Sequence, residues 1–289
     1  MTVCAVVLAA GEGVRLRPLT SRLPKPLCPV GNVSLLDQTL TRLAAAGLHG
    51  PQQVAVNACH LADQIVAAVG SRAHLSVEPP PPWGTSGGVA RLRDWIDGRA
   101  VLACNADAYL APGAQVPDLL AGWDGETVRM LVVRTEPGRP GEFGDQKQWR
   151  FAGMSLLPWH VVKQLPEDRG SLVHTAWRPA EARGALELVP FDGVYIDCGT
   201  PADYLAANLH AANLHAAKLH AADGGNLIAD DAEVIGPVHQ SVVGSGATVR
   251  GRLTRSVVLP GGVVDPDEHL VDAVRAGRDI TLRANPAAR

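Results

Sequence analysis

Aromatic residues make up only 4% of this chain, and its charge is nearly balanced, with 26 Lys and Arg against 29 Asp and Glu. The first shortage removes the stacking surface that single-stranded nucleic acids use. The second, a formal net charge of −3, removes the basic field that would draw in nucleic acid or an anionic membrane. Cysteine is sparse as well. Cys4, Cys28, Cys59, Cys104 and Cys198 are odd in number, widely spaced and contain no CxxC pair. That argues against a zinc site and against a disulfide framework, and leaves small buried thiols in a reducing cytosol. No apolar run is long enough to span a membrane. Met1 to Ala10 is apolar but lacks a basic n-region and stops at Gly11-Glu12-Gly13, so it reads as a buried strand rather than a signal peptide. A soluble, cytoplasmic protein is expected, with no nucleic-acid or membrane partner.

What is present is apolar content: 46% of 289 residues, enough for one large α/β domain with an appendage. Val3 to Ala9 is a continuous apolar run ending at a glycine turn, as a central parallel strand buried on both faces requires. Ser34 to Ala46 has helical periodicity closed by Gly47. Gln53 to Val56, Leu75 to Val77, Ala100 to Cys104, Val128 to Arg134 and Phe151 to Leu156 read as strands; Leu61 to Val69 and Ser86 to Trp95 read as helices. Strands alternating with helices predict a doubly wound, mainly parallel sheet. Pro137 to Gln148 is a loop by composition.

Pro201 to Ala222 is rich in alanine, begins with proline and ends at Gly224-Gly225, which predicts a helix. It holds a small repeat from Asn208 to Ala222 that carries His210, His215 and His220. Five residues of helix turn roughly 500°, so each histidine sits about 140° from the last and the three cannot share a face. A duplicated low-complexity helical linker fits better than a metal site. From Ile228 to Val264 short Val- and Gly-rich stretches recur with a loose period near six, the texture of two or three coils of a β-solenoid. The division is thus 1–222 for an α/β domain and 223–289 for a short solenoid-like region, with Arg275 to Arg289 ending as a short strand and a tail.

The strongest chemical signal is "LAAGEGVRLRPLTSRLPKPLCPVG", Leu8 to Gly31. A buried strand delivers a loop in which Gly11 and Gly13 admit close approach by a ligand, and its backbone N–H groups can hold phosphate oxygens or a base edge. Arg15 adds a planar fork of donors and Lys25 a compact point charge, a pair suited to a leaving pyrophosphate. The segment is not a Walker A loop, which needs G-x-x-x-x-G-K-[ST]. It is not a dinucleotide fingerprint either, since the third glycine position holds Leu16 and the second strand ends at Asn57.

With these residues in view, the chain resembles the sugar-1-phosphate nucleotidylyltransferases over most of Met1 to Ala222. Their signature G-x-G-x-R-L-x-P-L-T followed by P-K-P stands here between Gly11 and Pro26. Further matches are "EPPPPWGTSGGVARL" from Glu78, similar to an E-x-x-x-x-G-T-A-G-A loop; "VLACNADAYL" from Val101; and "GVYIDCGTPADYLAAN" from Gly193, similar to W-x-D-x-G-T-P-x-x-Y. The resemblance implies a Rossmann-like nucleotidyltransferase fold with a left-handed β-helix-like appendage. It implies that Asp107 and Asp197 hold Mg²⁺, which prefers a few carboxylates with phosphate and water oxygens, and that Arg15 and Lys25 steady the phosphates. It implies nucleotide binding by Leu8, Ala10, Gly11, Gly13, Glu78, Gly84, Thr85 and Gly88, and sugar binding by Asn105 and Gly153. Glu78 reads equally as an acceptor for base or ribose and as a loop cap, and Asn57 as a residue that fixes a neighbouring loop.

One departure stands out. The family's E-K-P segment, whose lysine holds the sugar phosphate, has no counterpart in "TEPGRPGEFGDQKQWRFAG", and Lys147 has no spacing that supports it as the substitute. The implied reaction joins a nucleoside monophosphate from an NTP to a sugar 1-phosphate and releases pyrophosphate. GTSGG and the solenoid resemble the mannose-1-phosphate guanylyltransferases most, while uridylyl- and thymidylyltransferases, or a catalytically weak regulatory subunit of the same fold, stay open. The solenoid offers a surface for self-association.

Overall fold

The computed structural model describes residues 2–111, 115–135, 141–219 and 225–284. Two compact units emerge. The first comprises residues 1–12, 36–106 and 110–195; the second comprises 13–35, 107–109 and 196–289.

The first unit is built on a seven-stranded sheet. In chain order its strands are β1 Val3–Leu8, β2 Val54–Ala58, β3 His74–Val77, β4 Ala100–Asn105, β5 Val128–Arg134, β6 Trp149–Leu157 and β7 Leu186–Pro190, arranged β7-β5-β6-β4-β1-β2-β3. β6 runs antiparallel to both of its neighbours and the other pairings are parallel. Helices α1 Leu35–Ala45, α2 Ala62–Val69, α3 Gly84–Ala90 and α4 Arg93–Ile96 supply the crossovers. The apolar runs read from the sequence are buried on both faces: Cys4 to Val7 and Ala100 to Leu102 are fully buried. One face packs Val6, Ala55, Val101, Met130 and Val132 against Val89, Ile96, Val162, Leu172 and Trp177. Each such aliphatic side chain contributes about 1.5–3 kcal/mol on burial. The helix expected from Ser86 to Trp95 is two pieces, α3 and α4, because Arg91 and Leu92 form a turn between them.

The second unit begins with a loop of three short 3₁₀ turns, Val14–Leu16, Leu19–Ser21 and Lys25–Leu27. Leu16, Leu19 and Cys28 anchor it by burial. A tight hairpin follows, Pro29–Val30 against Val33–Ser34, in which Gly31 and Asn32 both have positive φ (60° and 65°), as a primed turn needs. Helix α5, Pro201–Leu219, starts on a reciprocal cap. The Asp203 amide donates to Thr200 Oγ1 at 3.2 Å, and that hydroxyl donates to Asp203 Oδ2 at 2.7 Å, with Pro201 in the first turn. This helix is more than a linker. Buried Tyr204 donates its hydroxyl to Pro29 O, and buried Asn208 accepts from Gly31 N (3.0 Å) and donates to Tyr204 O (3.0 Å), clamping the hairpin. His210 contacts the Tyr109 hydroxyl at 3.2 Å, His215 is exposed, and His220 lies outside the described residues.

The C-terminal region forms three stacks of short parallel strands. Leu227 pairs with Val242 and Val242 with Val257, a coil of fifteen residues, whereas Leu253 pairs with Leu270, a coil of seventeen. The loose period of six is therefore corrected: three unequal segments make each coil, and the last coil takes two extra residues around Asp265 to Glu268. Val243, Val249, Leu253, Val258, Val264 and Leu270 fill the interior. A buried serine ladder runs up one corner, Ser256 N donating to Ser241 Oγ and Ala273 N to Ser256 Oγ. Ile280–Arg283 folds back antiparallel on Ala273–Ala276 and closes that end; the tail, 285–289, lies outside the described residues.

Replacing Asn208 with leucine leaves the part-buried Gly31 amide without its acceptor and removes the side-chain bond to Tyr204 O. The expected cost is about 1–3 kcal/mol, seen as a lower urea midpoint of the full chain; an unchanged midpoint contradicts the clamp.

Candidate active site

The carboxyl ends of parallel strands are where open α/β sheets bind ligands, and in the first unit three such ends are level. Leu8 stands opposite Asn57 on one side and Asn105 on the other. Buried Asn57 ties this edge together. Its Oδ1 accepts from Ala9 N at 2.7 Å and its Nδ2 donates to Glu78 Oε1 at 2.7 Å, while Glu78 Oε2 accepts from Trp83 N at 2.9 Å. Glu78, only 2% exposed, is thus a strut between the end of β2 and the loop into α3, the loop-capping alternative of the two left open by the sequence. Gly88 is needed beneath it: a Cβ there would lie 2.5 Å from Asn57 Nδ2 and 3.1 Å from Glu78 Oε1. Thr85 Oγ1 accepts from Leu172 N at 2.9 Å, and the Ser86 amide donates to Gly170 O, so the start of α3, with Gly84, is docked on the 168–172 backbone. Ala10 is buried at the start of the glycine loop, and the space around the Gly11 α-carbon is open. Gly153 lies on β6 with φ +80° beside the Tyr195 ring.

The second unit brings four of the expected residues together from three stretches of chain. Lys25 Nζ donates to Asp107 Oδ2 at 2.8 Å and to Asp197 Oδ1 at 3.3 Å, and Arg15 Nη2 reaches Asp197 Oδ2 at 3.4 Å. The Lys25 side chain is 5% exposed, against 38% for Asp107 and 45% for Asp197. Burial alone pushes the lysine pKa down; the Asp107 and Asp197 carboxylates overcome it and hold the ammonium above its ordinary value. Buried Cys198 follows Asp197 and has its thiol pKa raised by burial. At Gly199 a Cβ would lie 2.8 Å from Arg15 Cζ, so glycine lets the guanidinium lie across the backbone. Gly13 opens this loop with φ +61° and accepts the Thr20 hydroxyl at its carbonyl (2.8 Å).

The donor set suits a hard cation. Two half-exposed carboxylates share one cationic partner, with solvent access left for phosphate and water oxygens, which is how Mg²⁺ is ordinarily held. Among the described residues no cluster of three or more His, Cys, Asp or Glu side chains forms a closed protein cage. All five cysteines are free, and among the described residues no helix is long and apolar enough to cross a membrane.

A mainly parallel sheet with a level glycine-loop edge in the first unit, and two carboxylates on a buried lysine in the second, are features of a nucleotidyltransferase type of protein. The chain belongs to the family described as the MobA-like NTP transferase domain, whose model matches residues 5–224. It is 27% identical to the mannose-1-phosphate guanylyltransferase of Mycobacterium tuberculosis over 89% of this chain and 80% of that one. It is 28% identical to the N-acetylmuramate alpha-1-phosphate uridylyltransferase of Caulobacter vibrioides over 70% and 94%. Its fold matches a Bacillus anthracis structure described as a glucose-1-phosphate thymidylyltransferase in complex with a sucrose, with a TM-score of 0.63 at 17% identity over 73% and 95% of the two chains.

Sequence reasoning gave Asn57 the task of fixing one neighbouring loop; its side chain bonds Ala9 N and Glu78 and, through Glu78, reaches Trp83. A polar side chain closing an otherwise apolar strand was the available signal. Glu78→Gln turns one acceptor into a donor facing Asn57 Nδ2 or Trp83 N. It is expected to lower stability by about 1–3 kcal/mol, measurable by chemical denaturation; full stability would mean the strut is absent.

Proposed function

We propose that this chain transfers a nucleoside monophosphate from an NTP to a sugar 1-phosphate, with release of pyrophosphate, in a magnesium-dependent reaction. The observation that carries the reading is the shared placement of Lys25 on Asp107 and Asp197 with Arg15 on Asp197. The attacking oxygen belongs to a phosphate and is already anionic, so no general base is needed. Alignment and charge neutralisation are what the site must supply. Asp107 and Asp197 would hold Mg²⁺, which supplies charge neutralisation on phosphate oxygens when bound. Lys25 and Arg15 bring the two positive charges that a triphosphate and its departing pyrophosphate demand. The glycine loop from Ala10 to Gly13, with Leu8, Gly84, Thr85 and Gly88, is assigned to the nucleotide, and Asn105 and Gly153 to the sugar.

GTP with mannose 1-phosphate is the favoured pair. The guanylyltransferase relative aligns over 89% of the chain, a span that must reach beyond residue 224 into the C-terminal coils. A uridylyl reading has its own support in a Neisseria meningitidis N-acetylmuramate alpha-1-phosphate uridylyltransferase, 36% identical over 109 residues. A cytoplasmic setting suits five free thiols. A pyrophosphate-release assay crossing the common NTPs and dTTP with several sugar 1-phosphates tests the whole reading, which fails if no pair turns over.

Asp107→Asn and Asp197→Asn are each expected to lower Mg²⁺-dependent turnover by about 10³-fold or more. Lys25 keeps one carboxylate in either variant, so unfolding midpoints should move little. Wild-type turnover in either variant ends the assignment. Gly199→Ala pushes the far end of the Arg15 side chain aside rather than any backbone. It should slow turnover by about 10-fold or more with stability retained, and a variant as fast as wild type removes Arg15 from the reaction.

A further inference from the structure

One half-buried cation at the ligand-binding edge of the sheet meets no acid among the described residues. β6 is antiparallel, so its first residues lie beside the carboxyl end of β5: Val133 pairs with Arg150 and Arg134 with Trp149. Further along, Met154 pairs with Cys104, one residue before the end of β4. Arg150 therefore stands at the edge where open α/β sheets take their ligands. Arg72, Arg93, Arg129 and Arg178 of the same unit each hold a carboxylate. Among the described residues Arg150 holds none; its guanidinium carbon lies 5.4 Å from the centroid of the Tyr195 ring.

The neighbouring backbone is open on that same ring. Gly153 has φ +80°, and a Cβ on it would point at Tyr195 Cε2 from 3.5 Å. Phe151, between them, turns to the other face and packs on Trp177, with ring centroids 4.4 Å apart. An aromatic ring thus has bare backbone at one border and a guanidinium at another. The guanidinium faces the ring at cation–π range and meets no carboxylate among the described residues; its planar N–H fork suits an anion presenting two oxygens.

We infer that Arg150 binds the anionic group of the acceptor sugar while Tyr195 and Gly153 face the sugar ring. The inference rests on the transferase reading above. It supplies from a strand the positive charge that the missing E-K-P lysine would bring from a loop. The shared chemistry is an anionic oxygen pair, whether from the 1-phosphate or from a carboxylate carried by the sugar.

The test uses the full chain and pyrophosphate release at saturating NTP. Arg150→Met is expected to raise KM for the sugar 1-phosphate by about 10-fold or more and leave KM for the NTP within about twofold, and Arg150→Lys to recover part of the loss. Mannose 1-phosphate and N-acetylmuramate 1-phosphate separate the sources. A loss with both assigns Arg150 to the phosphate, and a loss confined to the second assigns it to the carboxylate. An unchanged sugar-phosphate KM, or an equal loss for the NTP, overturns the inference. Should the Met variant fail to fold, Arg150→Lys decides, since an unchanged sugar-phosphate KM with this less directional cation also overturns it. A wild-type chain inactive with every pair defeats the transferase reading itself, and this inference with it.

Discussion

A buried ammonium is the constraint around which the second unit is arranged. Lys25 sits almost wholly out of water, and an unpaired charge there would cost several kcal/mol. The chain meets that cost by bringing Asp107 and Asp197 to it from segments distant in sequence. Arg15, exposed and lying over Gly199, adds a second positive charge at the outer oxygen of Asp197. Two carboxylates and two cations cancel, so the cluster is close to neutral as it stands. On the proposed reaction a triphosphate competes for the two cations and thereby frees carboxylate oxygens for a divalent ion. Binding of nucleotide and of metal are then coupled by simple charge balance.

The first unit solves a different problem, the precision of a loop. A glycine loop can hold phosphate only if something else holds the loop. Here the Asn57 amide joins the Ala9 backbone, the Glu78 carboxylate and, through it, the Trp83 amide. Asn57 and Glu78 are buried and their oxygens are bonded, which makes the network rigid and intolerant of exchange. Gly88 belongs to it as a space rather than as a hinge. Gly84, Thr85, Ser86 and Gly87 of GTSGG lie against the 168–172 backbone.

Much of this was legible before any coordinates. The apolar runs predicted β1, β2, β4 and β5 because strands buried on both faces have no alternative composition. The motif residues Arg15, Lys25, Asp107 and Asp197 were each singled out, although nothing in their spacing states that one lysine spans both aspartates. That is a tertiary fact about segments 82 and 172 residues apart from Lys25. The solenoid was visible as texture but its coil length was not, since corners of unequal length blur any period. The repeat from Asn208 to Ala222 was read as a helical linker, which left the packing face of helix α5 unread. Its alanine repeat hides a working face whose members, Tyr204 and Asn208, precede or begin the repeat and reach back to a hairpin near residue 30.

The absent E-K-P segment looked like a loss when only the loop was considered. A loop lysine must be ordered each time it captures an anion, and that ordering subtracts from affinity. Arg150 is carried by a strand, where it pairs with Val133, and its guanidinium faces a ring, so its backbone is already ordered in the fold. An arginine also presents a planar fork where lysine presents a point. A site that moves its cation from loop to sheet therefore gives up reach and gains direction. The relatives differ in the nucleotide and in the acceptor they name, and this chain departs from the common motif in the segment that leads into β6. Acceptor choice and the position of that cation are, on this argument, two views of one change.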